Sequence, residues 1–249
     1  MRQFKIFTFI IASLYSLNAF AQEKDNVFFG LNGGISMPFG NWSQSKLIVN
    51  STNFVNDPSG FAANGSVFAL DGGWYFSKHF AIGAMINYAS YKIKDLGTLS
   101  SGYQQSFDVD SVHTTAGSYT IFNFLPGIYF NYPIAKKLSV SARALAGITS
   151  ATTPNIAVAV YDGGIYDGTF EQKSATKSAF GFDLGAGLGY SITKSWAVNL
   201  RADYFYSKPD FTINNTLRQN RAGRLVTEYN QPLTSMNYSF GVAYILSNK

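Results

Sequence analysis

From Ala179 to Ser207 the chain alternates large apolar residues with small or polar ones, with a single interruption. Phe180, Phe182, Leu184, Ala186, Leu188, Tyr190 and Ile192 hold one parity, and Gly181, Asp183, Gly185, Gly187, Gly189 and Ser191 the other. Successive side chains of a strand point to opposite faces, so this period of two predicts one apolar face and one polar face. After Thr193 to Ser195 the pattern resumes, with Trp196, Val198, Leu200, Ala202, Tyr204 and Tyr206 set against Asn199, Arg201 and Asp203. Two strands joined by a tight turn are expected.

Six more segments repeat the pattern: Val27 to Met37, Ala62 to Phe76, Phe80 to Tyr91, Tyr119 to Tyr132, Leu138 to Ile148 and Met236 to Leu246. The connections between the eight run long, short, long, short, long, short, long. An even number of strands, each with about the 9 to 11 residues a tilted strand needs to cross hydrocarbon, points to a membrane barrel. The expected fold is all-β: an eight-stranded antiparallel up-and-down transmembrane β-barrel with short periplasmic turns and long extracellular loops. Aromatic placement agrees. Trp74, Phe76, Phe80, Tyr132, Tyr190, Trp196 and Tyr244 fall at the short-turn ends, and Tyr88, Tyr204, Tyr206 and Tyr238 towards the long-loop ends, as two interfacial girdles require. Pro126 interrupts the fourth predicted strand and predicts a bulge or a local loss of pairing. Asp162-Gly163-Gly164, flanked by Ile156 to Tyr161 and Ile165 to Phe170, predicts a hairpin that extends the fifth and sixth strands beyond the membrane.

Composition supports lipid as the solvent of the apolar face. Aromatic residues make up 16% and charged residues only 13% of the chain, against about a quarter charged in soluble domains. The start reads as a processing segment, with Arg2 and Lys5 as a basic region, Ile6 to Leu17 as an apolar core and Ala19-Phe20-Ala21 as a cleavage site. The expected division is a signal peptide over 1–21 and a barrel domain over 22–249. Taking Arg2 and Lys5 from the 19 basic residues leaves seventeen against 14 acids, a formal charge of +3, too mild to argue for nucleic acid. Cysteine is absent although export would permit disulfides. The expected address is the bacterial outer membrane.

These strands, most clearly Gly181 to Tyr190 and Met236 to Leu246, resemble the small outer-membrane β-barrels of the OmpA-like and OmpX-like type, and the related outer membrane protein β-barrel group that includes PorT-like proteins. The likeness covers the chain from about Val27. It implies an architecture and no single activity. Such barrels commonly finish on an aromatic residue that the assembly machinery reads, whereas Ile245-Leu246-Ser247-Asn248-Lys249 follow Tyr244 here. No peptidoglycan-binding domain is expected after the last strand.

The candidate chemistry lies inside. Asp71, Arg143, Asp183, Arg201 and Asp203 share the inward parity, with Asn32, Asn87, Asn123 and Asn199. An eight-stranded barrel is just wide enough for side chains to fill it, so opposite charges at similar depth are expected to pair and close the lumen rather than line a passage. Facing Arg201 to lipid would cost about 2–4 kcal/mol, which sets the register. No catalytic, cofactor-binding or metal site is expected. His113 follows Asp108, Asp110 and Ser111 but lacks a nucleophile motif, and the Asp162 and Asp167 turns lack the ligand spacing of a calcium loop. Arg218, Arg221 and Arg224 in the last long loop are candidates for lipopolysaccharide phosphates. The expected partners are outer-membrane lipid, lipopolysaccharide and extracellular or envelope proteins, with no nucleic acid and a monomeric barrel. The expected function is non-enzymatic and works through surface loops in envelope integrity or in adhesion and partner binding. A narrow pore or a transport or secretion accessory for small solutes or proteins is the first alternative, and an outer-membrane lipid-modifying or proteolytic enzyme the second.

Overall fold

A computed structural model describes residues 26–46, 59–218 and 223–246. In chain order the elements are β1 (Val27–Pro38), a 3-10 turn (Gly40–Ser43), β2 (Ala62–Tyr75), β3 (Phe80–Ile93), α1 (Leu96–Phe107), β4 (Ser111–Ala116), β5 (Ser118–Pro133), β6 (Leu138–Thr152), β7 (Ile156–Asp162), β8 (Ile165–Gln172), β9 (Thr176–Ser191), β10 (Trp196–Ser207), β11 (Asp210–Arg218), β12 (Gly223–Asn230) and β13 (Leu233–Leu246). Eight of these strands close into a barrel in the order β1-β13-β10-β9-β6-β5-β3-β2, antiparallel throughout. They are the eight segments that alternate in the sequence.

Burial follows parity along the wall. On β9, Phe180 is 69% and Leu184 51% exposed, while Asp183 between them is 0% exposed. The apolar face of this strand runs from Tyr190 to Phe180. At about 3.4 Å per residue and a tilt near 45° it spans about 24 Å, which matches the roughly 25 Å apolar band of outer-membrane barrels. At the short-turn end Trp196 packs on Tyr244 at 4.8 Å between centroids and Phe76 stacks on Phe80 at 6.4 Å. At the other end Phe182 meets Tyr204 and Tyr206.

Pro126 causes a loss of pairing and no bulge. Its β3 partner is Ala84 in an unbroken register, but the β5–β6 ladder omits Leu125 and Pro126 and resumes unshifted at Gly127. Proline has no N–H to give to β6. Gly147 falls opposite Leu125 in that register, and a Cβ there would crowd the proline ring and the Phe124 carbonyl.

The long connections are folded, which alternation within the barrel does not reveal. Strands β12-β11-β8-β7-β4 form a second sheet beyond the barrel rim. It continues five barrel strands. Thr152 faces Thr176 across β6–β9, and four residues further along each strand Ile156 faces Gln172 across β7–β8. Likewise Thr120–Thr152 continues as Ala116–Ile156, and Ser207–Leu233 as Asp210–Asn230. One offset occurs. Gly181 faces Ser207, whereas Gln172, nine residues on, faces Asn215, only eight residues on. The strands running into β4, β7 and β8 each gain one residue at the rim, around Gly117, Asn155 and Lys173 to Ala175. There the Gly117 N–H donates to the Asn155 carbonyl at 2.9 Å.

An inserted residue reverses parity. Inward positions on β6 are Leu145, Thr149 and Ala151, but the buried residues of β7 are Ile156, Val158 and Val160. The insertion thereby turns the apolar face of β7 and β8 to the side that already carries Phe211 and Ile213 of β11. Helix α1 packs its Leu99 and Tyr103 on this face, against Val158, Val160 and Phe170. Burial pushes the Tyr103 hydroxyl pKa upward.

Candidate functional site

The inward parity brings all five predicted charged residues together. The Arg143 guanidinium on β6 is the hub: its Nε lies 2.9 Å from Asp203 Oδ1 and 3.2 Å from Asp183 Oδ1, and its Nη1 3.8 Å from Asp71 Oδ2. Arg201 Nη1 donates to Asp71 Oδ2 at 2.7 Å, and Asn32 Nδ2 donates to Asp71 Oδ1 at 2.8 Å. The cluster ties β1, β2, β6, β9 and β10 across the lumen. Its side chains are nearly removed from solvent, at 7% for Arg143, 12% for Arg201 and 0–2% for the three carboxylates.

Glycines on β9 make room for it. A Cβ on Gly185 would collide with Asp203 Oδ1, and one on Gly187 with the Leu200 carbonyl and Arg201 Cγ. The small-residue parity of β9 is thus the space into which long side chains of β6 and β10 fold.

Above the charged layer the lumen is filled. Thr149 Oγ1 donates to Asn123 Oδ1 and Asn123 Nδ2 to Asn87 Oδ1, both at 2.6 Å. Ser36 Oγ shares a hydrogen bond with the Tyr91 hydroxyl at 2.6 Å and donates another to Asn237. A cavity of about 10 Å³ is left between Asn32, Met85, Asn87, Arg143 and Asp203. The mouth is closed by an apolar plug of Trp42, Tyr91, Tyr119, Ile121, Phe205, Phe211 and Leu233. Trp42, fully buried, sits edge-on to Tyr91 at 4.5 Å and Tyr119 at 5.9 Å. Its turn is clamped by the Gly60 N–H on the Asn41 carbonyl and the Phe61 N–H on the Gln44 carbonyl, each at 3.0 Å.

Below the charged layer a larger cavity, about 100 Å³, reaches the short-turn end past Tyr75, Tyr129, Ser139, Ser141, Asn199 and Arg201. The Tyr129 hydroxyl and both amide atoms of Asn199 are buried there without a hydrogen-bond partner among the described residues. Arg143 and Asp203 line both cavities, so the ion pair is the partition between them.

The other candidates lie apart from the lumen. His113 is on β4 opposite Ala159 and exposed. The Asp110 carboxylate accepts the Gly163 N–H at 2.7 Å and holds the tip of the β7–β8 hairpin, where Gly163 and Gly164 take φ of 57° and 75°. These conformations suit a tight hairpin turn and account for the Asp162-Gly163-Gly164 composition. Among the described residues no group of three or more His, Asp or Glu could hold a metal ion. His79 Nδ1 contacts the Asn131 carbonyl at 3.1 Å in the first short turn. Arg218 closes β11 and Arg224 lies on β12, with the backbone alone described, and Arg221 lies outside the described residues.

The model of a family described as "Outer membrane protein beta-barrel domain" matches residues 7–245. The chain belongs to this family. No curated protein matches it. Among solved structures, a major outer membrane protein from Thermus thermophilus is similar at 10% identity and a TM-score of 0.50, over 88% of this chain and 99% of that one. Neisserial surface protein A is similar at 11% identity and a TM-score of 0.41, over 88% and 96% of the two chains. The outer membrane protease OmpT from Escherichia coli is similar at 8% identity and a TM-score of 0.48, over 92% and 98%. At such identities the likeness to the Thermus protein is one of fold. In outer-membrane barrels short turns face the periplasm, so the larger cavity is on the periplasmic side, and the second sheet, α1 and the Trp42 plug are extracellular.

The sequence missed the plug and the sheet. Trp42 is the one Trp of the connection and sits in the locally polar run Gly40-Asn41-Trp42-Ser43-Gln44, and that was the available signal. The parity reversal between Ala151 and Ile156 was the signal for the rim insertion.

Proposed function

We propose that this outer-membrane barrel is a non-enzymatic display scaffold, whose extracellular sheet binds a partner at the cell surface while its lumen stays closed. The closed lumen carries the reading: a buried ion cluster and an aromatic plug lie in series along it. The sheet has a covered face and an uncovered tip. Ile165 is 74% and Tyr166 49% exposed at that tip, beyond the apolar band, where lipid does not cover them. Rigid exposed aromatic and aliphatic groups are the usual anchors of a binding surface.

Ile165→Ser with Tyr166→Ser is expected to abolish attachment of expressing cells to surfaces coated with extracellular-matrix or serum proteins, with heat-modifiable gel migration unchanged. Attachment equal to that of the parent protein would remove the tip from the account. Contact of Arg218, Arg221 and Arg224 with lipopolysaccharide phosphates belongs to the same reading of the extracellular side. The periplasmic cavity favours one second reading, a transport accessory that admits small solutes from the periplasm, and conductance separates the two.

A further inference from the structure

The periplasmic rim carries a charge pattern that neither the scaffold reading nor the closed lumen uses. Each of the three short turns presents lysine: Lys78 between β2 and β3, Lys136 and Lys137 between β5 and β6, and Lys194 between β9 and β10. All four are exposed, and no Asp or Glu lies in those turns. The extracellular side is mixed by contrast, with Asp95, Asp108, Asp110, Asp162, Asp167 and Glu171 among Lys92, Lys94, Lys173 and Lys177.

The three turns are neighbours. The Lys137 carbonyl accepts the Ser191 N–H at 2.8 Å, joining the second and third turns, and the His79 carbonyl accepts the Asn131 N–H at 2.9 Å, joining the first to the second. They form an arc across β3, β5, β6, β9 and β10. Side-chain hydrogen bonds brace the first and third turns: Ser77 Oγ accepts the His79 and Phe80 N–H groups, and Thr193 Oγ1 those of Ser195 and Trp196. Directly beside the lysines stand Tyr132, Tyr190 and Trp196, each close to half exposed, and Lys137 Nζ lies 5.8 Å from the Tyr190 ring centroid. Aromatic residues at this height mark the headgroup level. Among the described residues no carboxylate pairs with these lysines, cations just past that level would meet phospholipid phosphates, and basic side chains held at an anionic leaflet strengthen binding.

We infer that the arc formed by Lys136, Lys137 and Lys194, with Lys78 at its edge, binds anionic phospholipid headgroups of the inner leaflet. Phosphatidylethanolamine also carries a phosphate, but its ammonium cancels the charge the arc would attract. An anionic headgroup is therefore the better match.

Two of the three tryptophans, Trp74 and Trp196, are exposed at this rim, and Trp42 is buried in the plug. Quenching by brominated lipids therefore reads the rim directly. In reconstituted vesicles, brominated phosphatidylglycerol is expected to bind about fivefold or more better than brominated phosphatidylethanolamine. Lys136→Gln, Lys137→Gln and Lys194→Gln together should bring that ratio to about one, with heat-modifiable migration retained. Lys92→Gln with Lys173→Gln on the extracellular side should leave it unchanged. A parent ratio near one, a ratio untouched by the rim variant, or one lowered by the extracellular variant would overturn the inference. Displacement by inorganic phosphate beyond that caused by chloride at equal ionic strength would also overturn it, since the arc would then be a site for free phosphate.

Discussion

Arg143→Ala is expected to lower the stability of the folded barrel by about 3–5 kcal/mol, the usual cost of leaving buried charge uncompensated. The guanidinium reaches Asp203 and Asp183 at 2.9 and 3.2 Å, whereas Arg201 is paired to Asp71 at 2.7 Å. Removing Arg143 strands two carboxylates that no second cation contacts among the described residues. Arg143→Lys should cost less, because it restores the charge, though not the planar guanidinium whose Nε and Nη1 lie near three carboxylates. Adding Asp183→Asn and Asp203→Asn to Arg143→Ala should recover part of the loss, because the buried charge goes with the carboxylates. The midpoint of urea unfolding in vesicles, followed by heat-modifiable migration, reads all three. A midpoint for Arg143→Ala equal to that of the parent chain would remove the hub from the account.

Trp42→Ala should produce a local loss of similar size, about 3–5 kcal/mol, because the side chain is fully buried and its deletion leaves a cavity in the mouth. The effect falls on the extracellular plug, since the transmembrane wall is closed by backbone pairing that does not involve this turn. Limited proteolysis of vesicle-inserted protein is the appropriate reading: cleavage in the first extracellular connection should accelerate, while the transmembrane strands stay protected. Gly60→Ala should do the same from the other side, since its Cβ would meet the Trp42 ring. Trp42→Phe should be milder, because it keeps an aromatic body and removes an indole N–H that is buried without a partner among the described residues. Equal proteolysis of the parent chain and Trp42→Ala would show that the plug does not hold the mouth.

The barrel was legible because lipid enforces a rule on every outward residue. Leu184, Leu188 and Leu200 must be apolar and their neighbours must fit a narrow lumen, so parity alone recovers strand, face and register, and the charges inside have little choice but to meet. The extracellular sheet was not legible in the same way. Its covered face is made by a helix and a strand from one connection and hairpins from two others, with inserted residues around Gly117 and Asn155, and the three connections lie far apart in sequence. The hairpin around Gly163 and Gly164 was readable from turn chemistry, but its lateral union with β4 and β11 was not. Trp42 shows the same limit, since local sequence places it in a polar stretch and only tertiary packing turns it into a plug.

Single-channel recording in planar bilayers tests the closed scaffold most directly. The folded protein is expected to give no conductance steps above the bare membrane at any holding potential, because the ion cluster and the Trp42 plug lie in series. Stable, reproducible ion-conducting steps from the parent chain would contradict it.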